Sequence, residues 1–211
     1  MPAITSVVTE SRFALGLTFA DFVAQATVNQ DKFVLNGTTV PLTEEDTSFL
    51  RKAAAHPGGP ARMLALAEAW CGDVYRELPT AARIAEVTGM ELRVFLRDEN
   101  LDIMEEFMSN GGKSRAIPVF VFYTKDLEYL THWTERSASA HAGLAVAMNE
   151  AKAKLNLPQS ATFGTLPDAD RQALLQEVIA RVRPFADPWR RDAIQEIRQL
   201  LANALSIPNA G

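Results

Sequence analysis

Trp70-Cys71-Gly72-Asp73 holds the only cysteine of the 211-residue chain. The apolar stretch Met63–Ala67 precedes it and a helix-like segment follows. A thiol between a strand and a helix start is well placed to act as a nucleophile. The first N–H groups of a helix are unpaired and its dipole is positive there, and both favour thiolate over thiol. A second feature lies 118 − 71 = 47 residues downstream, where Ile117-Pro118 opens the strand-like run Val119–Phe122. A cis bond there would leave the carbonyl and N–H before the proline free to pair with an extended peptide beside the thiol.

The elements that must bring these residues together are legible in the middle third. Residues 62–69 are predicted as a buried strand, 74–88 as a helix, 91–97 as a strand and 101–109 as a helix. Strands at 117–123 and 128–134 follow. Strand-helix-strand implies parallel pairing in a right-handed unit, and the short link 124–127 implies an antiparallel hairpin, so the sheet is mixed and flanked by helices. On the N-terminal side, Thr18 caps a helix carrying Phe19, Phe22 and Val23, and Thr43-Glu44-Glu45-Asp46 starts another that stops before His56-Pro57-Gly58-Gly59. Residues 32–40 read either as a hairpin about Asn36-Gly37 or as an irregular connector. Three helices are expected at 137–155, 167–182 and 188–205. Their stripes Leu174, Leu175, Val178, Ile179, Val182 and Ile194, Ile197, Leu200, Leu201, Leu205 suit core or dimer contacts.

Composition narrows the function classes. Hydrophobic residues at 47% and charged residues at 22% are ordinary for a globular protein, and the net charge of −5 disfavours nucleic acid and anionic membranes as partners. No apolar run approaches a bilayer span, and residues 1–12 lack the basic-then-apolar pattern of a signal peptide. One cysteine forms neither an internal disulfide nor a cysteine metal cage, so a reducing cytoplasm is the expected setting. Histidines 56, 132 and 141 fall on a loop, a strand and a helix without i,i+4 pairing, so no metal is expected. Gly112-Lys113-Ser114 imitates the end of a phosphate loop, but Phe107 stands where its first glycine should be and a strand follows instead of a helix. Arg181, Arg183, Arg190 and Arg191, interspersed with Asp187, Asp192 and Glu196, read as a solvated ion-pair surface.

The middle third resembles the thioredoxin superfamily. Trp70-Cys71-Gly72 matches the start of its Trp-Cys-Gly-Pro-Cys site, Pro79 matches the proline that bends the active-site helix, and Arg115-Ala116-Ile117-Pro118 is similar to its cis-proline loop. Trp70–Asp73, Leu96–Asn100 and Ser114–Pro118 further resemble the ordered blocks of a single-cysteine Trp-Cys-Gly-Asp branch of bacterial thioredoxin-like proteins. The resemblance implies an α/β fold with a thioredoxin-like core at 61–155, a helical N-terminal extension at 1–60 and a C-terminal helical pair at 156–211 packed on the core. The N-terminal extension would cap the sheet edge or cover the site as a lid.

The resemblance also implies thiol–disulfide chemistry through Cys71. Val74 occupies the position of the family's second cysteine, so the mixed disulfide would await an external thiol such as glutathione or a bacillithiol-like compound. Gly72 would admit substrate backbone, Ile117 and Pro118 would shape the facing loop, and Trp70 and Asp73 would border the groove. The expected partners are a disulfide-containing or extended protein substrate and that small thiol, with no other cofactor. Two rival readings are a non-catalytic module that binds an extended peptide in the same groove, and a homodimer built through the C-terminal helices. The helix start lowers the thiol pKa while Asp73 repels a thiolate, so a mildly depressed value is expected. The family's buried acid, six residues before the nucleophile, is replaced by Ala65.

Overall fold

The computed structural model describes residues 6–209. Four helices come first: α1 (Glu10–Phe13), α2 (Phe19–Gln25), α3 (Gln30–Thr38) and α4 (Glu44–Ala55). The sheet follows as β1 (Arg62–Ala67), helix α5 (Gly72–Thr88), β2 (Glu91–Leu96), the short helix α6 (Leu101–Glu105), β3 (Val119–Tyr123) and β4 (Tyr129–Thr134). Helices α7 (Ala138–Lys154), α8 (Asp168–Val182) and α9 (Ala186–Leu205) complete the chain.

The strand order is β2-β1-β3-β4, with β1 and β2 parallel and β3 antiparallel to both β1 and β4. This is the mixed α/β sheet flanked by helices that the alternating pattern predicts. Met63–Ala67 are all buried because helices cover both faces of a central strand, which is why that strand has no polar alternation. At the edge strand β4 the alternation returns: Thr131 and Trp133 are buried and Tyr129 is exposed.

The other sheet edge is capped from the N-terminal side. Leu17 exchanges both backbone hydrogen bonds with Val94 of β2, each 2.8 Å. Gly16 lets the chain pass this close, since a Cβ there would sit 2.5 Å from the Phe95 ring. Thr18 caps α2 through the Asp21 N–H, and Thr43 and Asp46 form a reciprocal capping box on α4.

Residues 32–40 form neither the hairpin nor the connector that their sequence suggests; most of them belong to helix α3. Tertiary contacts override the Asn-Gly turn signal. Phe33 is buried edge-on between Phe22 and Tyr75. Pro79 has no N–H to give the Tyr75 carbonyl one turn earlier in α5, and the Asn36 side-chain amide donates to that carbonyl at 2.9 Å instead. The helix predicted at 101–109 stops at Glu105.

Helix α9 lies against β4 and α4. The Trp133 indole donates to Glu196 at 2.7 Å, and Arg198 pairs with Asp46 at 2.6 Å. Helices α7 and α8 close a second, smaller core around Ala151, Leu166, Leu174 and Val178, while Leu175 and Ile179 are left exposed. Arg190 corrects the sequence reading of a solvated basic cluster: its side chain is fully buried, donating to the carbonyls of Asn36 and Thr39. Among the described residues, no helix is long and apolar enough to cross a membrane.

Candidate functional site

Strand β1 delivers Trp70 and Cys71 to the start of α5, where Cys71 is the N-cap residue and its N–H donates to the Glu68 carbonyl. Strand β3, antiparallel to β1, starts beside the end of β1, with Leu66 opposite Val119. Pro118 immediately precedes that pair, so the register brings the Ile-Pro loop to the cysteine. The Ile117–Pro118 bond is cis, and the Cys71 thiol donates to the Ile117 carbonyl at 3.7 Å. Two residues 46 positions apart in sequence are thus in contact.

The three sequence blocks are tied to one another physically. The Arg97 guanidinium lies 5.2 Å from the centroid of the half-exposed Trp70 ring, and its other face of contact is the Arg115 carbonyl, which it donates to at 3.2 Å. Asp98 donates its N–H to the largely buried Glu68 carboxylate at 2.9 Å. Burial raises the Glu68 pKa, with the Asp98 N–H working against the shift. Beside Trp70 is a hollow of about 210 Å³ walled by Leu17, Phe22, Val28 and Leu96, with Glu68 lining it. Asn29 holds the α2–α3 connection against this turn by donating to the Ala69 carbonyl at 2.9 Å.

Asp73 is engaged rather than free. Arg76 and Arg136 both bind it, Arg136 through Nε at 3.0 Å and again through Nη2. Glu135 adopts a left-handed backbone with φ of 67°, donates its N–H to the Pro118 carbonyl at 2.7 Å and also pairs with Arg136. The β4–α7 junction therefore braces the Ile-Pro loop and neutralises Asp73 together. Arg76 was within reach of sequence reasoning, being three residues from Asp73 on one helix. Arg136 was not, because nothing local relates it to position 73.

The charge balance at sulfur differs from the sequence expectation. The thiol pKa is pushed up, not down: burial is the largest cause and the Asp73 charge adds to it, against N–H groups of Val74 and Asp73 and the Arg136 charge. The helix start acts as expected but loses to desolvation. The Ile117 carbonyl also faces the sulfur, which suits a thiol and not a thiolate.

Ala65 lies buried in β1, so the family's acid position offers no proton acceptor. The most deeply buried acid in this part of the fold is Glu77 on α5, paired with Arg76 at 3.0 Å; burial pushes its pKa up to about 7 against the pull of Arg76. No group of metal-ligating side chains is assembled among the described residues.

Replacing Asp73 by Asn removes the like charge and releases Arg136 toward the sulfur. The expected result is alkylation of Cys71 at pH 7 faster by roughly three- to tenfold, matching a fall of up to about one pKa unit. Iodoacetamide rates between pH 6 and 10 measure it. An unchanged rate profile would mean that burial alone sets the reactivity.

A family model described as Thioredoxin matches residues 16–153. Among solved structures, the chain is similar to the crystal structure of an HIV epitope-scaffold, at 15% identity and a TM-score of 0.57, covering 93% of this chain and 99% of that one. It is also similar to the 1.5 Å crystal structure of a protein of unknown function from Pseudomonas aeruginosa, at 18% identity and a TM-score of 0.50, covering 84% of this chain and 98% of that one. At such identities the likeness concerns the fold alone. No curated protein matches the chain.

Proposed function

The chain belongs to the thioredoxin family, and from that premise we propose that it carries out single-cysteine thiol–disulfide exchange through Cys71. The observation that supports this most directly is the 3.7 Å contact between the Cys71 sulfur and the Ile117 carbonyl at the start of α5. On this reading an extended substrate lies along the Ile117–Pro118 loop beside the sulfur, and the exposure of Trp70 and Gly72 at the same edge supports it.

In the forward step, Cys71 as thiolate attacks one sulfur of a substrate disulfide. The substrate S–S bond breaks, a bond between Cys71 and that sulfur forms, and the departing sulfur leaves as a thiolate and takes up a proton. A small thiol then gives up its proton and attacks the substrate sulfur of the mixed disulfide. Cys71 leaves as thiolate and is reprotonated, and the small thiol and substrate share the new disulfide. The raised thiol pKa keeps Cys71 protonated at rest, so the forward step is slow near neutrality and accelerates as pH rises. Trp70 and Asp73 border the groove, Gly72 admits backbone, and no resident cofactor takes part. The reduced thiol that this cycle requires points to the cytoplasm.

The same half-buried, protonated sulfur favours a second reading, a groove that binds an extended peptide without turnover. One experiment separates them: the full chain and its Cys71→Ser variant are each incubated with oxidised glutathione or a peptide disulfide at pH 8.5 and weighed by mass spectrometry. A Cys71-dependent mixed disulfide that excess thiol discharges is expected. The absence of any Cys71-dependent adduct with either disulfide at pH 8.5 would refute the exchange reading. A Cys71→Ser protein that still retains its peptide partner would then support the binding module.

A further inference from the structure

The hollow of about 210 Å³ beside Trp70 is assembled from two parts of the chain. Leu17 and Val28 come from the segment before β1, while Leu96 ends β2 and Trp70 stands in the turn before α5. Trp70 and Val28 are about half exposed, so the mouth is open to solvent next to Cys71. Backbone contacts fix the walls. Leu17 is tied to Val94, and the Asn29 amide holds the segment after Val28 to the Ala69 carbonyl. Sites for free small molecules commonly measure about 300–1,000 Å³, so this volume suits a single long side chain.

One charged group lines the hollow. Glu68 is 9% exposed, and only one of its carboxylate oxygens is engaged, by the Asp98 N–H. The other oxygen has no partner among the described residues, yet it is not sealed off. The unpartnered side-chain oxygens that are closed to solvent belong to Glu77 and Tyr123. No lysine or arginine lines the hollow. Arg97, beside Trp70, is engaged with Asp98 at 2.7 Å and with the Arg115 carbonyl, and Lys32 is turned to Asn29 and the Tyr75 ring. Burial raises the Glu68 pKa, and the Asp98 and Glu99 charges add to it against the Asp98 N–H and the Arg97 charge. A ligand cation would offset that strain on the carboxylate.

Apolar walls with one open carboxylate oxygen match a lysine side chain. Its methylenes bury along the walls and its ammonium is a compact donor. A guanidinium would bring a two-pronged fork to a carboxylate with one oxygen already taken. A leucine or methionine would cover Glu68 and leave its charge desolvated without a partner. The chain's net charge of −5 also favours the approach of a basic peptide.

We propose that this hollow is a side-chain subsite that takes a lysine of the substrate near its reacting cysteine, the stem lying against Trp70, Val28 and Leu96 and the ammonium on the open Glu68 oxygen. That occupant presupposes the extended peptide proposed beside Cys71, and Glu68 then acts as a specificity-determining residue.

Calorimetric titration of the full chain tests it with short alanine peptides that carry serine in place of the reacting cysteine. Each has Lys, norleucine or Glu within about two residues of the serine on either side, a span of roughly 7 Å. Without sulfur, these peptides report binding whether or not exchange occurs. In the best register, lysine is expected to bind on the order of tenfold more tightly than norleucine, which keeps the stem and lacks the ammonium, and Glu more weakly than both. Glu68→Gln keeps an acceptor for the Asp98 N–H and should remove the lysine preference while leaving norleucine affinity within about twofold. If Glu68→Gln disturbs the fold, the lysine-to-norleucine ratio of the unaltered chain decides, and it should fall several-fold as salt rises from about 0.05 to 0.5 M. Lysine no better than norleucine, or a lysine preference that survives in folded Glu68→Gln or is indifferent to salt, would overturn the subsite and leave the peptide groove standing. No binding of any peptide up to about 10 mM would remove the subsite and the groove together.

Discussion

Arg190→Met is expected to destabilise the protein by about 3–5 kcal/mol, although methionine fits the same volume without a charge. The Arg190 guanidinium has no contact with solvent and acts as a bolt between three helices. It donates to the Asn36 carbonyl at 2.7 Å, to the Thr39 carbonyl and hydroxyl at 3.1 and 3.2 Å, and to the Thr80 hydroxyl at 3.4 Å. Burial lowers its pKa, and the charges of Glu77 and Asp187 oppose that shift. Methionine would leave the Thr39 carbonyl without a donor and the Asn36 carbonyl with only the long 3.4 Å bond from the Thr39 N–H, and would remove one of the two cations near buried Glu77. Lysine restores charge at one point but cannot span Asn36 and Thr39 as a planar fork does, so it should recover less than half of the loss. Urea unfolding followed by circular dichroism measures both. A loss below about 1 kcal/mol for methionine would mean that the carbonyls find other donors.

The second large effect belongs to Asp46. Its carboxylate accepts from the Thr43 N–H and hydroxyl at 3.0 and 2.7 Å, from Gln195 at 2.7 Å and from Arg198 at 2.6 Å. It thereby caps α4 and anchors α9 with one group. Burial works against its charge, but the hydrogen bonds from Thr43, Arg198 and Gln195 prevail and hold its pKa below the ordinary carboxylate value. Asp46→Ala leaves Arg198 buried with its nearest counter-charge gone, and about 3–5 kcal/mol should be lost at pH 7. The sign of the pH dependence follows from the depressed pKa. The stabilisation is fully present above the unfolded value near pH 4 and disappears as pH falls through the folded one. Denaturation of both proteins between pH 7 and pH 3 should therefore show a gap that narrows only at the acid end. A gap of constant size would exclude the carboxylate charge as its source.

Both predictions concern joints between helices, and here local sequence was least informative. Asn36-Gly37 carries a turn signal, yet it lies in a helix because Pro79 leaves a carbonyl that Asn36 satisfies and Arg190 claims the carbonyl of Asn36 itself. Arg190 sits among charged neighbours in the sequence and was read as surface. Local charge density does not reveal that four distant oxygens converge on its position.

Sequence alone determined the alternation of strands and helices and the capped starts of α2 and α4. Each rests on short-range periodicity or cap chemistry, which the chain carries wherever it folds. The pairing of Cys71 with Ile117-Pro118 was an expectation from the family resemblance that the β1–β3 register delivers. Tertiary structure decided the reactivity of the sulfur. Desolvation and the salt bridges to Asp73 depend on what the fold places around Cys71, and burial outweighs the helix start that sequence reveals.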